Sequence, residues 1–307
     1  MSVANPVTAA MPTIDAAPIE PGEDVRSSPL LQTAVKLYLE NGCLLIKNAF
    51  DADYVRGLRD TFTENYAAYL DDRIYEDANN VGDKRIMVTL KLEGMFADKG
   101  FYSPPKLFPI LQFLLTAKLI VAGLGCVVAQ PGSQEQPCHR DYMNIYDPGF
   151  YYPGVETFIA NGPPYAISVG LPLTPITKLT GNTRFWPGSH LAMVNRNDPG
   201  LGPGVDFEAD LGSCYLWDYR LLHCGVANRS DQIRLLVYAV YSRPWFRDAI
   251  NYPKQRPIDI TEDRLFALPD GDERLFSWAL VGPSGGLCQC NSGLLYKRCH
   301  GKPGAEA

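Results

Sequence analysis

The chain has 307 residues, 46% of them hydrophobic, and a formal net charge of -6. That length and apolar content can bury one sizeable core, so we expect one main domain. Because the net charge is negative and the basic residues do not cluster along the sequence, nucleic acid is not expected as a partner, and a small molecule is favoured.

The first 28 residues are rich in Ala and Pro and have no basic segment followed by an apolar run. They are therefore predicted to be a disordered tail rather than a secretory signal. With eight cysteines and no export signal, the cysteines are expected to be reduced or bound to metal, and the protein is expected to be cytoplasmic.

A helix, a strand and a second helix are predicted between residues 29 and 69. The apolar stretch GCLLIKNAF, residues 42–50, interrupts a helical pattern and is typical of a buried strand. The next segment begins with two cap candidates, Asp51 and Asp53. Apolar residues then recur at spacings of three and four, which predicts an amphipathic helix: Val55, Leu58, Phe62, Tyr66 and Tyr69.

The longest apolar run covers residues 110–129 and is about as long as a bilayer is thick. Lys118 lies in its middle, Pro109 precedes it, and it contains Gly123 and Gly125. These residues favour a buried helix of about a dozen residues, a turn and a core strand over a membrane span.

From residue 126 onward, β-branched and aromatic runs alternate with Gly and Pro turns, as in GCVVAQPGS, YAISVGLPL, GSCYLWDY and RLLVYAVYS. Several short strands separated by turns are typical of a sandwich or barrel, and a jelly roll is the common closed form. The predicted fold is therefore mainly β with flanking helices.

The segment PCHRDYMN places a histidine and an aspartate at residues 139 and 141. The triplet HRD also occurs in protein kinases, but the chain lacks the kinase Gly-rich loop, DFG triplet and correctly spaced asparagine. Residues i and i+2 of a strand point to the same face, so His139 and Asp141 can both contact one cation. A mononuclear iron site of the oxygenase type needs one more histidine.

The candidates for that second histidine are His190, His223 and His300. His190 ends the turn-rich stretch GNTRFWPGSH, where a structural role is favoured. His223 ends the strand-like run WDYRLLH, and Arg234 follows it by eleven residues within the next strand. A guanidinium suits the bidentate binding of a carboxylate, as an oxygenase that uses 2-oxoglutarate requires.

This order of residues resembles the iron- and 2-oxoglutarate-dependent dioxygenases of the phytanoyl-CoA dioxygenase family. The blocks GCLLIKNAF, AQPGSQEQPCHRD, TGNTRFWPGSH and HCGVANRSDQIRLLVYAVYSRPWF occur in the family's order and span roughly residues 35 to 247. The resemblance implies a double-stranded β-helix that uses Fe(II), 2-oxoglutarate and O₂. It makes His139, Asp141 and His223 the iron ligands and Arg234 the 2-oxoglutarate anchor, with weaker assignments for Thr183 and Gln136 as hydrogen-bond donors to that cosubstrate.

A long aromatic connection follows Asp141 and is expected to line the substrate pocket, since long loops in compact domains tend to be functional. Its candidate residues are Tyr142, Tyr146, Phe150, Tyr151, Tyr152 and Phe158. They favour a medium-sized, largely apolar substrate that is hydroxylated at an unactivated C–H bond, with release of succinate and CO₂. The alternative from another class is a non-catalytic, cupin-like binding or adaptor protein.

The C-terminal stretch LCQCNSGLLYKRCHG brings together three thiols and an imidazole, the donor set of a closed structural zinc site. Its spacing resembles the SEC-C zinc motif, with Cys288, Cys290, Cys299 and His300 as ligands. In that family the motif is an interaction module, which implies a protein partner; the alternative is that zinc only holds the tail against the barrel. The expected organisation is a tail (1–28), a dioxygenase domain (29–256), a connector (257–286) and a zinc motif (287–302).

Overall fold

The structure is a computed structural model that describes residues 10–17, 28–71, 73, 75–142, 162–191, 202–248 and 250–279. Its described α-helices lie mainly in the first 114 residues, where they alternate with strands: Pro29–Asn41 (α1), Ala52–Asn65 (α2), Lys99–Tyr102 (α3), Phe108–Leu114 (α4) and, later in the chain, Glu262–Phe266 (α5). Within these residues, no helix has both the length and the apolar character needed to cross a membrane.

Strands dominate the fold, as predicted. Their bounds are Thr13–Asp15 (β1), Cys43–Lys47 (β2), Asn79–Gly82 (β3), Arg85–Thr89 (β4), Ile120–Ala129 (β5), Ala166–Pro172 (β6), Thr183–Phe185 (β7), Cys214–Asp218 (β8), His223–Gly225 (β9) and Arg234–Ser242 (β10). Eight of them form a mixed sheet in the order β1-β2-β8-β6-β10-β5-β4-β3, and β7 pairs with β9. Only the β1–β2 pair of this sheet is parallel among the described strands.

The small sheet packs on one face of the large sheet through aromatic side chains. The ring of Phe185 on β7 lies 5.9 Å from the rings of both Tyr215 and Trp217 on β8. Because side chains alternate between the faces of a strand, Tyr215 and Trp217 point toward the small sheet together. The space between the two sheets contains the candidate site.

The predicted helix after residue 50 is confirmed as α2. The Asp51 side chain accepts hydrogen bonds from the backbone N–H groups of Asp53 and Tyr54, so Asp51 is the N-cap and Asp53 belongs to the first turn. Of the five residues of its predicted stripe, Val55, Leu58 and Phe62 are fully buried in α2. The helix ends earlier than predicted, because Tyr66 is its C-cap and Tyr69 lies beyond it in a 3-10 turn.

The run of residues 110–129 differs from its prediction. Its helix, α4, ends at Leu114, and Gly123 and Gly125 lie inside β5 rather than in a turn. A Cβ atom at residue 123 would collide with the Tyr252 hydroxyl, and one at residue 125 with the Tyr238 hydroxyl. Both glycines therefore leave space for tyrosine side chains within a regular strand.

Two predicted domain boundaries need correction in the described residues. Within the expected disordered tail, Thr13–Asp15 pairs with β2, and Ile14 packs in the core with only 8% exposure. Within the expected connector, residues 257–279 also join the core, where Phe276 is fully buried and its ring stacks edge-on against Tyr102. Apolar burial explains why both segments are part of the fold.

Candidate active site

Three potential metal ligands meet between the sheets, and they are the three residues expected from the sequence. Donor atoms of His139, Asp141 and His223 all lie within 4.8 Å of one another. His223 Nε2 is 3.3 Å from Asp141 Oδ1, and the two imidazole rings are 4.5 Å apart between centroids. Among the described residues, this is the one group of three or more such side chains with suitable spacing.

The backbone fixes the two histidines directly opposite each other. His139 and His223 exchange two backbone hydrogen bonds, each 2.9 Å long, as a closely bonded antiparallel pair does. In each ring, Nδ1 donates to the carbonyl two residues earlier, Pro137 for His139 and Leu221 for His223. A carbonyl only accepts, so the proton is on Nδ1 and the Nε2 lone pair is available to a metal.

Asp141 is held by three donors from different parts of the fold. Its Oδ2 accepts from Trp217 Nε1 at 2.7 Å and from Ser168 Oγ at 3.2 Å. Its backbone carbonyl accepts from Asn251 Nδ2 at 2.6 Å, and Asn251 is itself bonded to Asp248. The residue is therefore fixed at both its carboxylate and its main chain, which suits a metal ligand.

The local electrostatics favour an ionised carboxylate at this point. Burial acts to raise the pKa of Asp141, but His223, His139 and the Trp217 hydrogen bond lower it below its usual value. For His223, burial acts to lower the pKa, and attraction to Asp141 raises it above the usual value. Burial lowers the pKa of His139, and His223 lowers it further. One anion beside two imidazoles is a suitable donor set for a divalent cation.

Two buried arginines line the same pocket. Arg234 on β10 is 6% exposed, and Arg85 on β4 is 2% exposed. Both donate to the Val226 carbonyl at 3.0 Å, and their other hydrogen-bond partners are neutral. Burial, followed by repulsion from Arg234, lowers the pKa of Arg85 to about 10, and burial also lowers the pKa of Arg234.

No carboxylate of the described residues forms an ion pair with either guanidinium. The buried Nε of Arg85 also has no hydrogen-bond partner among the described residues. Buried charges are normally paired, because an isolated charge in a low-dielectric interior is expensive. The two positive charges of the pocket therefore favour the binding of an anion, and a dicarboxylate is a suitable one.

Thr183 and Gln136 also line the pocket, and both already have partners within the protein. Thr183 Oγ1 lies 2.9 Å from the Tyr215 hydroxyl. The Gln136 side chain donates to the Val81 carbonyl and accepts from Gly225 N at 2.8 Å. Their roles as donors to a cosubstrate stay predictions.

The rest of the pocket wall is mainly apolar and aromatic. It includes Met87, Val127, Leu236, Val240, Tyr219, Tyr238 and Tyr252. Tyr142 packs its ring against Phe246 at 5.1 Å, beside the pocket rather than on its described wall.

Several predicted residues lie outside the described part of the chain. They are Tyr146, Phe150, Tyr151, Tyr152 and Phe158 of the proposed substrate loop, and Cys288, Cys290, Cys299 and His300 of the proposed zinc motif. His190 is described and lies outside the pocket, with Nε2 donating to the Leu39 carbonyl at 3.1 Å. This position agrees with the structural role that the sequence favoured for His190.

Sequence reasoning missed four polar residues of the site: Arg85, Ser168, Trp217 and Asn251. Arg85 begins the mainly apolar strand RIMVT, and a charged residue in such a strand could have been recognised as a candidate site residue. The other three act through hydrogen bonds that only the folded chain creates, so the sequence offered no comparable sign.

The sequence profile of the phytanoyl-CoA dioxygenase family, PhyH, matches residues 38–236, which is more than half of the chain. The chain belongs to the phytanoyl-CoA dioxygenase family. The matched range contains the two histidines, Asp141 and both pocket arginines, whereas Asn251 lies beyond it. This family member therefore adds at least one side chain to its site from outside the matched region.

Among curated proteins, the chain is similar to "Dioxygenase af480" of Aspergillus fumigatus. The two are 29% identical over 161 residues, which cover 52% of this chain and 48% of that protein. A second relative, "Multifunctional dioxygenase prhA" of Penicillium brasilianum, is 31% identical over 126 residues, covering 38% of this chain and 40% of the relative. The chain thus spans about half the length of the curated relatives it matches, or less.

Solved structures share the fold. The epimerase SnoN, determined with Fe³⁺, α-ketoglutarate and nogalamycin RO, matches with a TM-score of 0.54 and 19% identity over 76% of this chain and 96% of SnoN. HygX from Streptomyces hygroscopicus, determined with nickel, 2-oxoglutarate and hygromycin B, matches with a TM-score of 0.52 and 16% identity, over 70% of this chain and 88% of HygX. At these identities the likeness concerns the fold alone.

Proposed function

We propose that this protein is an Fe(II)- and 2-oxoglutarate-dependent dioxygenase with a double-stranded β-helix fold. The observation that supports this most is the meeting of two imidazoles and one carboxylate in a pocket that also contains two guanidiniums, neither of which has an acidic partner among the described residues. Family membership points to the same activity. The non-catalytic alternative is less favoured, because a binder without a cosubstrate has no use for two buried arginines that pair with no carboxylate in the described part of the chain.

In this proposal His139, Asp141 and His223 hold the iron. The donor set fits, because both histidines present Nε2 and Asp141 presents Oδ1 to the same region. Two histidines and one carboxylate on one face leave the remaining positions for a cosubstrate and O₂. When bound, iron and 2-oxoglutarate supply the oxidising chemistry, and the protein supplies orientation and a water-poor pocket.

Arg234 holds the distal carboxylate of 2-oxoglutarate, and Arg85 adds a second positive charge in the same pocket. A guanidinium binds a carboxylate through two parallel hydrogen bonds, and the low-dielectric surroundings strengthen them. Thr183 and Gln136 are proposed as supplementary hydrogen-bonding groups. Each needs to share or exchange its present protein partner to fulfil that role.

The substrate we propose is a medium-sized, largely apolar small molecule that is hydroxylated at an unactivated C–H bond, with release of succinate and CO₂. The support is the pocket wall, where Met87, Val127, Leu236 and Val240 offer aliphatic surface. Such a wall binds mainly by removing apolar area from water. The aromatic loop residues after Asp141 are proposed to complete the pocket.

A separate proposal concerns the C-terminus, where Cys288, Cys290, Cys299 and His300 would bind one structural zinc. The support is the sequence pattern alone, and the site is proposed to bind a protein partner. Truncation after Gly285 tests it: zinc content should fall by one equivalent per chain, while Fe(II) and 2-oxoglutarate binding persist. An unchanged zinc content would refute the zinc site, and loss of iron binding by folded protein would refute the proposed division of domains.

The dioxygenase proposal is tested by adding Fe(II) and then 2-oxoglutarate to the protein under anaerobic conditions. We expect a weak visible charge-transfer band in the wild type and none in His223→Ala, since that variant lacks one of only three proposed ligands. No band from folded, iron-loaded wild type would favour the non-catalytic binder.

A further inference from the structure

The two carboxylate oxygens of Asp141 have unlike surroundings. Oδ2 accepts hydrogen bonds from Trp217 Nε1 at 2.7 Å and from Ser168 Oγ at 3.2 Å. Oδ1 lies 3.3 Å from His223 Nε2, on the side where the three donor groups meet. One oxygen is therefore occupied by two protein donors, and the other faces the proposed metal position.

The large sheet itself creates this asymmetry. Ser168 on β6 and Trp217 on β8 are directly paired, so their side chains project from the same face. Both are buried, at 2% and 7% exposure. The Trp217 ring is further held by Tyr215, whose ring centroid is 5.6 Å away. The two donors are thus placed by paired strands and by packing within the protein.

The number of Asp141 oxygens that bind the metal decides how many coordination positions stay open. An iron ion with six coordination positions, if held by two imidazoles and one carboxylate oxygen, would keep three positions for two atoms of 2-oxoglutarate and for O₂. If Asp141 used both oxygens, the bound cosubstrate would fill the remaining positions and leave none for O₂. For Oδ2 to bind the metal, it would have to give up at least one of its two charge-assisted hydrogen bonds, because they use both of its lone-pair positions.

We propose that Trp217 is a positioning residue that, with Ser168, restricts Asp141 to one metal-bound oxygen and so preserves the position that O₂ needs. This inference rests on the proposed dioxygenase function. This role differs from general support of the fold. Loss of the indole N–H is predicted to weaken binding of O₂ or its surrogate, and to leave the affinities for iron and 2-oxoglutarate unchanged.

The test compares the full-length wild type with Trp217→Phe, which removes the N–H donor but keeps an aromatic ring. Three anaerobic quantities are measured: Fe(II) affinity, 2-oxoglutarate affinity from the charge-transfer band, and affinity for nitric oxide as an O₂ surrogate, followed by the electron paramagnetic resonance signal of its iron complex. We expect Fe(II) and 2-oxoglutarate affinities to stay within about threefold, because Asp141 keeps at least one oxygen on the metal, and nitric oxide affinity to fall about tenfold or more, as roughly 1.4 kcal/mol of competition from Oδ2 would cause.

Matched variants separate this role from a structural one. Ser168→Ala should reduce nitric oxide affinity by a smaller factor, and Ser168→Thr, which keeps the hydroxyl, should restore it. Trp186→Phe is the control, because the Trp186 indole donates to the Gly202 carbonyl at 3.0 Å and not to Asp141. It should leave all three affinities unchanged. If Trp217→Phe does not fold, the Ser168 pair decides the question by the same measurements.

Each outcome has a distinct meaning. Unchanged nitric oxide affinity in both Trp217→Phe and Ser168→Ala, with a normal charge-transfer band, would overturn the inference and leave the dioxygenase proposal intact. A joint fall of Fe(II) and 2-oxoglutarate affinities in Trp217→Phe would also overturn it, because the indole would then be only structural. A wild type without the band would instead contradict the proposed function itself.

Discussion

Replacing Arg234 with leucine is the sharpest perturbation of the proposed cosubstrate site. Arg234 is 6% exposed and donates to the carbonyls of Thr180 and Val226 at 3.1 and 3.0 Å. Val226 keeps a second donor, Arg85, in the Arg234→Leu variant, so one carbonyl is left without its partner. The substitution therefore removes a buried positive charge at a modest expected loss of fold stability.

The size of the effect follows from the burial of the charge. Removing one partner of a buried, hydrogen-bonded charge pair costs about 2–5 kcal/mol of binding free energy. Because Arg85 remains in the pocket, we expect the lower part of that range. At about 1.4 kcal/mol per factor of ten, 2-oxoglutarate affinity should fall about 30- to 300-fold.

The assay is an anaerobic 2-oxoglutarate titration of iron-loaded protein, read from the charge-transfer band. Fe(II) affinity should be retained, since Arg234 contacts none of the three proposed iron ligands in its hydrogen bonds. Arg264→Leu is the matched control, because Arg264 is a half-exposed arginine that pairs with Glu93 outside the pocket. Equal 2-oxoglutarate affinity in wild type and Arg234→Leu would show that the anchor lies elsewhere.

Two other predictions concern the iron ligands and the C-terminal part of the core. Alanine at His139, Asp141 or His223 should abolish Fe(II) binding in folded protein, whereas His190→Gln should retain it; iron binding by all three alanine variants would refute the ligand assignment. Phe276→Ala should lower the free energy of unfolding by about 3–5 kcal/mol in urea denaturation, because it empties a fully buried aromatic site. A loss below about 1 kcal/mol would mean that residues 257–279 act as a loose connector after all.

The sequence was most informative where a local pattern decides the structure. The stripe of Val55, Leu58 and Phe62 and the cap at Asp51 predicted α2, because helix periodicity and capping act within a few residues. The meeting of the three potential metal ligands was also predictable, because few histidines were available as a partner. The premise that His139 and Asp141 share a strand was wrong, since His139 forms an isolated bridge with His223 and Asp141 lies in a bend.

The sequence was least informative where distant segments meet. Gly123 and Gly125 resembled turn residues, but their actual neighbours, Tyr252 and Tyr238, are more than one hundred residues away in the chain. The support of Asp141 by Trp217 and Asn251 depends on long-range contacts in the same way. Such contacts are consequences of the tertiary fold and leave no periodic pattern in the sequence.

The most direct test of the proposed function is the O₂-dependent conversion of isotopically labelled 2-oxoglutarate to succinate and CO₂ by the full-length, Fe(II)-loaded protein. We predict slow turnover without substrate, acceleration by an apolar small molecule found in a metabolite screen, and no turnover in His223→Ala. Label release that is equally fast in His223→Ala, or no release from folded wild type with both iron and 2-oxoglutarate bound and substrates from the screen present, would contradict the proposal.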